Sequence, residues 1–252
     1  DHARSTTTST ACEHPPRPSL APFAAIHMAH DITRERRMTT ENPDARFWNN
    51  TARKYATDPI KDMAGYERTL AETLKLLKPD DHVFEIGCGT GTTALRIAPH
   101  VARLVATDIS SEMIAIAREK AAKEPISNVD FAVGTPDDIA HPDATFDAVL
   151  AYNVLHLLPD RHRAFDAMRR ILKPGGLFIS KTTCLSEMNP LLRLAVPVAR
   201  AFGKAPTVAF FDAAALEREI RNAGFDIRES ARHGTTRKDA RIYIVARKPW
   251  SP

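Results

Sequence analysis

The chain has 252 residues, of which 43% are apolar and 26% are charged, a balance typical of a globular protein with a sizeable core. Its 35 basic residues exceed the 31 acidic residues by four, and no long block of Lys or Arg occurs, so nucleic acid is not expected as a partner. The three cysteines include no Cys-x-x-Cys pair. This excludes a disulfide framework and a zinc cluster, and predicts a reducing, cytoplasmic compartment.

Residues 1–37 are rich in Ser, Thr and Pro and show no sustained apolar period. This composition predicts a disordered N-terminal extension. The apolar stretch 20–28 is too short for a secretory signal and is interrupted by Pro22. Because Met38 resembles a natural first residue, we expect the ordered protein to begin near it.

Residues 38–80 are predicted to form a helical segment that precedes the main domain, residues 81–252. Ala45, Trp48, Ala52 and Tyr55 recur at helical spacing, and Asp58-Pro59 interrupts the pattern. Two interpretations are open. The aromatic residues either pack on the edge of a sheet or cover a binding site.

The stretch from Val83 to Thr92 reads as a buried strand that runs through three glycines into a helix. The first amide groups of that helix are free to bind a ligand, although a tight turn without a ligand has the same pattern. Thr92 stands where a dinucleotide site has its third glycine. Within the strand, Glu85 requires a partner, because a buried carboxylate is costly.

A second apolar strand ends at Asp108, about 20 residues after the glycine turn. In nucleotide-binding α/β folds an acid at this distance accepts hydrogen bonds from both ribose hydroxyls. The alternative is that Asp108 caps the helix that opens near Ser110. Strands and helices then alternate up to residue 134, which predicts a parallel sheet with helices on both faces.

The fourth strand, 146–153, is followed by a loop, and ligands bind at such loops in open α/β sheets. Tyr152, Asn153 and His156 are therefore expected at the reaction zone, with Tyr152 and His156 as candidate catalytic residues. His156 lies between two leucines and is either a packed residue or a catalyst.

An apolar segment near 186–211 carries Arg193, Arg200 and Lys204 and is interrupted by prolines. It is too charged to span a membrane. It either covers an apolar ligand or lies on a lipid surface. A helix over 212–223 ends at Gly224, and two closing strands follow.

The motif from Glu85 to Gly91, Glu-Ile-Gly-Cys-Gly-Thr-Gly, resembles motif I of the class I S-adenosylmethionine-dependent methyltransferases. Phe146-Asp147 and the run 172–177 match further segments of this family, so the resemblance covers about residues 45–183. It implies a doubly wound, Rossmann-like α/β sheet of seven strands in the order 3-2-1-4-5-7-6, with the last strand antiparallel. It also implies S-adenosylmethionine as cofactor, S-adenosylhomocysteine as product, no metal, and a small-molecule methyl acceptor. Because insertions between the fifth and sixth strands commonly shape acceptor pockets in this family, the resemblance favours the segment near 186–211 as a lid over the acceptor. A phospholipid or quinone acceptor at a membrane surface is the alternative, and a non-catalytic nucleotide-binding module is a third possibility.

The resemblance also implies roles for individual residues. Tyr55 and Tyr66 are expected to cover the cofactor, and Ile109 and Met113 to pack against its adenine. The family's acid after the third strand is replaced by Thr135, so Asp137 or the backbone of 135–137 would contact the adenine amino group. The full set of expected cofactor-binding residues is Tyr55, Tyr66, Glu85, Gly87, Cys88, Gly89, Thr90, Gly91, Asp108, Ile109, Met113, Thr135, Pro136, Asp137, Tyr152 and Asn153.

Overall fold

A computed structural model describes residues 42–136, 141–236 and 239–250. The predicted disordered extension, 1–37, lies outside these residues. The described chain forms one seven-stranded sheet in the order β3-β2-β1-β4-β5-β7-β6. All neighbouring strands are parallel except β7, which runs antiparallel to β5 and to β6. The predicted fold class and strand order are confirmed.

The strands are short in the first half of the sheet and longer in the second. Their bounds are β1 His82–Ile86, β2 Arg103–Asp108, β3 Val129–Val133, β4 Phe146–Tyr152, β5 Leu172–Thr183, β6 Asp226–Ala231 and β7 Arg241–Arg247. The run 172–177 is part of β5, because Leu172 already pairs with Phe146 before the register shifts.

The helices mostly begin at polar residues that accept a hydrogen bond from the first turn. Asn42, Asp62, Ser110, Asp160 and Asp212 occupy such cap positions. The helices of the described residues are α1 Pro43–Thr57, α2 Met63–Leu76, α3 Thr92–Ile97, α4 Ser111–Ala121, α5 Arg161–Ile171, α6 Leu192–Ala201 and α7 Ala213–Asn222.

The core lies in two layers, one on each face of the sheet. On one face α5 and α7 pack their buried side chains, such as Phe165 and Leu216, against Ile86 and Phe178. On the other face α2, α3 and α4 bury Leu70, Ile97 and Ile114 against the opposite side chains of the central strands. Both faces of the central strands are covered, which explains their nearly continuous apolar sequences.

Helix α1 packs on α4 rather than on the sheet. Ala52 of α1 is fully buried and forms a small cluster with Met113 and Ile116 of α4. Trp48 and Ala56 pack against the same cluster. This position places α1 beside the carboxyl ends of the first strands.

Helix α6 lies in the insertion between β5 and β6 and has no buried residue. Leu191, Leu194, Val198 and Phe202 recur at helical spacing and are all more than half exposed. None of the helices that the structure describes is long and apolar enough to cross a bilayer. The insertion thus presents an exposed apolar face on α6, and the segment that follows α6 returns to the sheet edge.

Candidate functional site

The glycine turn connects β1 to α3 and adopts a backbone that glycine favours. Gly91 has a φ of 74°, and a Cβ there would lie 2.8 Å from the Cβ of Ala117 on α4. Gly89 also has positive φ, but a Cβ there would meet only Tyr55, at 3.7 Å. Gly91 therefore serves the packing of α3 on α4, whereas Gly89 leaves its backbone open to a ligand.

A lysine of α4 is hydrogen-bonded to the end of this turn that leads into α3. Lys120 donates hydrogen bonds from Nζ to the hydroxyls of Thr90 at 2.9 Å and Thr92 at 3.0 Å. Burial lowers the pKa of Lys120. These bonds fix the start of α3, so the conformation of the turn is set by the fold before any ligand binds.

Asp108 at the end of β2 accepts two backbone hydrogen bonds, from Gly89 N–H and from Ser110 N–H, both at 2.9 Å. The helix cap is instead Ser110, whose hydroxyl accepts from Met113 N–H at 3.1 Å. Burial raises the pKa of Asp108, while the two N–H donors favour its charged form. Asp108 thus joins the second strand to the glycine turn and is not the cap of α4.

A narrow cavity of about 120 Å³ lies at the ends of β2 and β3. Asp108, Ile109, Met113 and Pro136 line it from the sheet side, together with Trp48 of α1. The combination of the Asp108 carboxylate with several apolar side chains suits a ribose joined to a flat base. These are the residues expected at the adenosine.

The narrow cavity is covered by two segments that are distant in sequence. Thr207 N–H donates to Asp44 Oδ1 at 2.8 Å, and both residues line the cavity. Thr207 belongs to the segment after α6, so the insertion covers the site through this segment. Tyr55 lines the cavity from α1, and its pKa is raised by burial and by the charge of Asp108.

A wide cavity of about 520 Å³ lies on the other side of the glycine turn, beneath α2. Tyr66, Thr69, Glu85, Lys181 and Arg241 are among the residues that line it. Glu85 is almost fully buried, and its Oε2 has no hydrogen-bond partner within the described structure. Burial, with a smaller effect of Asp108, raises the pKa of Glu85 to about 8. A buried carboxylate with a free oxygen at a cavity wall suits a cationic ligand group.

The structure brings most of the expected cofactor-binding residues to these two cavities. The residues that line both cavities are Tyr55, Gly87, Gly89, Tyr152 and Asn153. Cys88 and Thr90 line the wide cavity only. Gly91 and Thr135 line neither, although Gly134 and Pro136 on either side of Thr135 do. Asp137 lies outside the described residues.

The two candidate catalytic residues differ in their positions. Tyr152 lines both cavities, and its hydroxyl is 2.6 Å from that of Thr73. Burial raises the pKa of Tyr152 well above its usual value, so the phenol is neutral at physiological pH. His156 lines neither cavity, and its Nδ1 lies 2.9 Å from the hydroxyl of Thr182. Burial lowers the pKa of His156 to about 4, which makes it a neutral, packed residue. Its catalytic role stays a prediction.

Several lining residues were not identified from the sequence. Asp44, Thr207, Lys181 and Arg241 carry no motif, and they reach the cavities from elements far apart in the chain. For Trp48, packing on a sheet edge and covering a binding site were both open. The apolar periodicity of α1 placed Trp48 on a buried face but could not say what that face covers.

Among the described residues, no group of three or more His, Cys, Asp or Glu side chains is arranged to hold a metal ion. The site is instead a glycine turn between a buried carboxylate with a free oxygen and a strand-end aspartate. Together with the 3-2-1-4-5-7-6 sheet, this defines the class of Rossmann-like methyltransferase folds.

Comparison with known proteins supports this class. Residues 84–180 match the family model of a methyltransferase domain. A demethylmenaquinone methyltransferase of Symbiobacterium thermophilum is 32% identical over 120 residues, which cover 46% of this chain and 46% of that protein. A 27-O-demethylrifamycin SV methyltransferase of Amycolatopsis mediterranei is 33% identical over 102 residues, covering 40% of this chain and 38% of that protein. Each of these two matches thus spans less than half the length of the relative.

The fold has close counterparts among solved structures. The YcgJ protein of Bacillus subtilis superposes with a TM-score of 0.60 at 19% identity, over 73% of this chain and 99% of that one. Fold, motifs and family match agree. Residues 84–180 match a methyltransferase domain, and the described chain has the Rossmann-like fold of the class I S-adenosylmethionine-dependent methyltransferases.

Proposed function

We propose that this protein transfers the methyl group of S-adenosylmethionine to a small organic acceptor by in-line displacement. The observation that carries the proposal is the arrangement of Asp108, Gly89 and Glu85 around one glycine turn. Asp108 already bonds Gly89, and Glu85 presents a free carboxylate oxygen at the wall of the adjoining cavity. The residues present therefore fit the cofactor that the family implies.

Each part of the site would hold a different group of that cofactor. Asp108 would accept hydrogen bonds from the ribose hydroxyls, and Ile109 and Met113 would pack against the adenine. Glu85 would face the ammonium of the methionine part, because a buried carboxylate is stabilised by an opposite charge. When bound, the cofactor supplies an electrophilic methyl group on its sulfonium.

The protein's contribution to the reaction would be mainly positioning. Holding the two reactants in line can supply roughly 7–11 kcal/mol of the barrier. Tyr55, Trp48 and the Asp44–Thr207 contact would exclude water from the donor side. Tyr152 is neutral and lines both cavities, so it would donate a hydrogen bond to a ligand or pack against it rather than act as a base. A base is needed only where the acceptor must lose a proton.

The size of the wide cavity supports a small acceptor. At about 520 Å³ it falls within the range of roughly 300–1,000 Å³ that is usual for small-molecule sites. It adjoins the glycine turn, where the transferable methyl group would lie, and its wall combines aromatic, hydroxyl and charged side chains. A single organic molecule could be enclosed there.

Calorimetric titration with S-adenosylmethionine, S-adenosylhomocysteine and NAD tests the donor site. We expect the first two to bind and NAD not to bind, since Thr92 replaces the third glycine of a dinucleotide site. A screen of small metabolites with a labelled methyl donor then tests transfer. Binding without transfer to any acceptor would favour the non-catalytic nucleotide-binding module, and binding of NAD alone would overturn the proposal.

A lipophilic acceptor of the quinone or phospholipid type is the second candidate. It is favoured by the demethylmenaquinone methyltransferase among the relatives. The exposed apolar face of α6, where Phe202 is 76% exposed, would suit work at a membrane surface. Transfer to a naphthoquinol in vesicles, compared with transfer to water-soluble phenols, separates this candidate from the first.

A further inference from the structure

The wide cavity contains a buried lysine that none of the family motifs includes. Lys181 lies near the carboxyl end of β5, and its side chain lines this cavity. The residue is only 5% exposed. Because lysine is rarely buried without a partner of opposite charge, its surroundings are informative.

The sheet register places Lys181 on the acceptor side of the glycine turn. Tyr152 of β4 pairs with Lys181 of β5. Ile86 of β1 pairs with Thr107 of β2 and with Ala151 of β4. The residues that follow these three, Gly87, Asp108 and Tyr152, therefore lie in one row across the sheet. Neighbouring strands are about 4.8 Å apart, so Lys181 lies roughly 14 Å from Asp108 along this row. The ribose end and the lysine are thus at opposite ends of the combined site.

The hydrogen bonds of Lys181 involve neutral oxygens only. Its Nζ donates to the hydroxyl of Thr69 at 2.7 Å and to the carbonyl of Gly65 at 3.1 Å, both on α2. An ammonium has three donors, so one remains for the cavity. In the part of the chain that the structure describes, no carboxylate forms an ion pair with Lys181.

Two carboxylates that act on Lys181 through their charges are bonded to a neighbouring arginine instead. Arg241 lines the same cavity and bonds Asp62 at 2.7 Å and Asp239 at 2.8 Å. Glu85, the buried acid at the wall, is raised in pKa by burial and by Asp108. Within the described structure, the ammonium of Lys181 therefore has no carboxylate in direct contact.

We propose that Lys181 binds an ionised acidic group of the methyl acceptor, a carboxylate or a phosphate. This rests on the proposed function and names the chemical class of its acceptor. An anion in the cavity would use the third donor of the ammonium and place an opposite charge in direct contact with it. Thr69 and Gly65 would hold the amine in place before the acceptor arrives, so that little side-chain freedom is lost on binding.

The test measures binding of matched acid and neutral probes to the protein saturated with S-adenosylhomocysteine. The pairs are 4-hydroxybenzoate with 4-hydroxybenzamide, and phenyl phosphate with phenol. We expect the acidic member of at least one pair to bind wild-type protein more than tenfold tighter than its partner. The pair that shows the preference distinguishes a carboxylate from a phosphate.

Substitution of the lysine then assigns the preference to this side chain. Lys181→Met should weaken binding of the acid about 10- to 100-fold and leave the neutral probe within threefold. Lys181→Arg should recover most of the acid preference. Lys75→Met is the matched control, since Lys75 is an exposed lysine of α2 that lines neither cavity, and it should change neither probe by more than threefold.

Three results would overturn the proposal: no acid preference in wild-type protein, no binding of any probe, or equal loss of acid and neutral probes in Lys181→Met. The last result would mean that Lys181 only anchors α2 to the sheet. Titration with S-adenosylhomocysteine itself separates this failure from failure of the proposed function. If that ligand binds wild-type protein and the acid preference is absent, only the assignment of Lys181 is wrong.

Discussion

Replacement of Asp108 tests the donor site most directly. In the structure Asp108 accepts hydrogen bonds from Gly89 and Ser110 and lines the narrow cavity. If it also accepts bonds from two ribose hydroxyls, each charge-assisted contact contributes roughly 1.5–3 kcal/mol before non-additivity. We expect Asp108→Ala to weaken binding of S-adenosylhomocysteine by about 2–4 kcal/mol, or roughly 30- to 1000-fold.

The same substitution should also affect stability. The Gly89 amide would lose its acceptor, and an unsatisfied buried donor costs about 1–3 kcal/mol. Asp108→Asn keeps the shape and one acceptor oxygen, so it provides a folded variant without the charge. Ser110→Ala is the matched control, because it removes the cap of α4 at a residue that lines neither cavity. It should cost about 1 kcal/mol of stability and leave affinity unchanged.

Calorimetric titration and thermal melts without ligand measure the two quantities separately. An affinity within threefold of wild type in both Asp108 variants would refute the ribose assignment, whatever their melting temperatures. Equal losses of affinity in Ser110→Ala and in the Asp108 variants would show that the effect passes through α4 and not through direct contact.

Three further predictions concern the turn, the buried acid and the cover. Gly91→Ala should destabilise the protein by several kcal/mol, because its positive φ and the close Ala117 both oppose a side chain, and denaturant melts measure this. Glu85 has its pKa raised to about 8, so it is mostly protonated at pH 7 and should release a proton when a ligand ammonium binds. Calorimetry in buffers of different ionisation enthalpy detects that proton, and Glu85→Gln should abolish it. If α1 and Tyr55 cover the cofactor, S-adenosylhomocysteine should slow limited proteolysis of residues 43–66, whereas equal cleavage with and without ligand would mean simple edge packing.

The pKa shift of Glu85 also fixes a pH dependence of stability. The folded-state pKa is raised above the unfolded value, so the folded protein binds more protons between about pH 4.5 and pH 8. Without ligand, stability should therefore fall as the pH rises through this window, and Glu85→Gln should remove that part of the fall. Urea melts of both proteins at pH 5, 6.5 and 8 measure the difference.

The sequence by itself determined the fold class and the donor side of the site. Strand and helix periodicity are local properties, so their alternation predicted the parallel sheet. The glycine turn, Glu85 and Asp108 lie on contiguous motifs whose backbone conformation the local residues impose. For this reason the parallel sheet and most of the residues around the turn could be named before the structure was known, whereas the strand order followed from the resemblance to the methyltransferase family.

The tertiary structure alone decided which residues form the wide cavity and which cover the narrow one. Lys181 and Thr69 are 112 residues apart, and Asp44 and Thr207 are 163 apart, yet each pair is in hydrogen-bond contact. The sheet also determined that Ser110 rather than Asp108 caps α4, and that His156 packs against Thr182. A local pattern records neighbours within a few residues along the chain, whereas a cavity wall collects side chains from elements that meet only when the sheet and its helices are assembled.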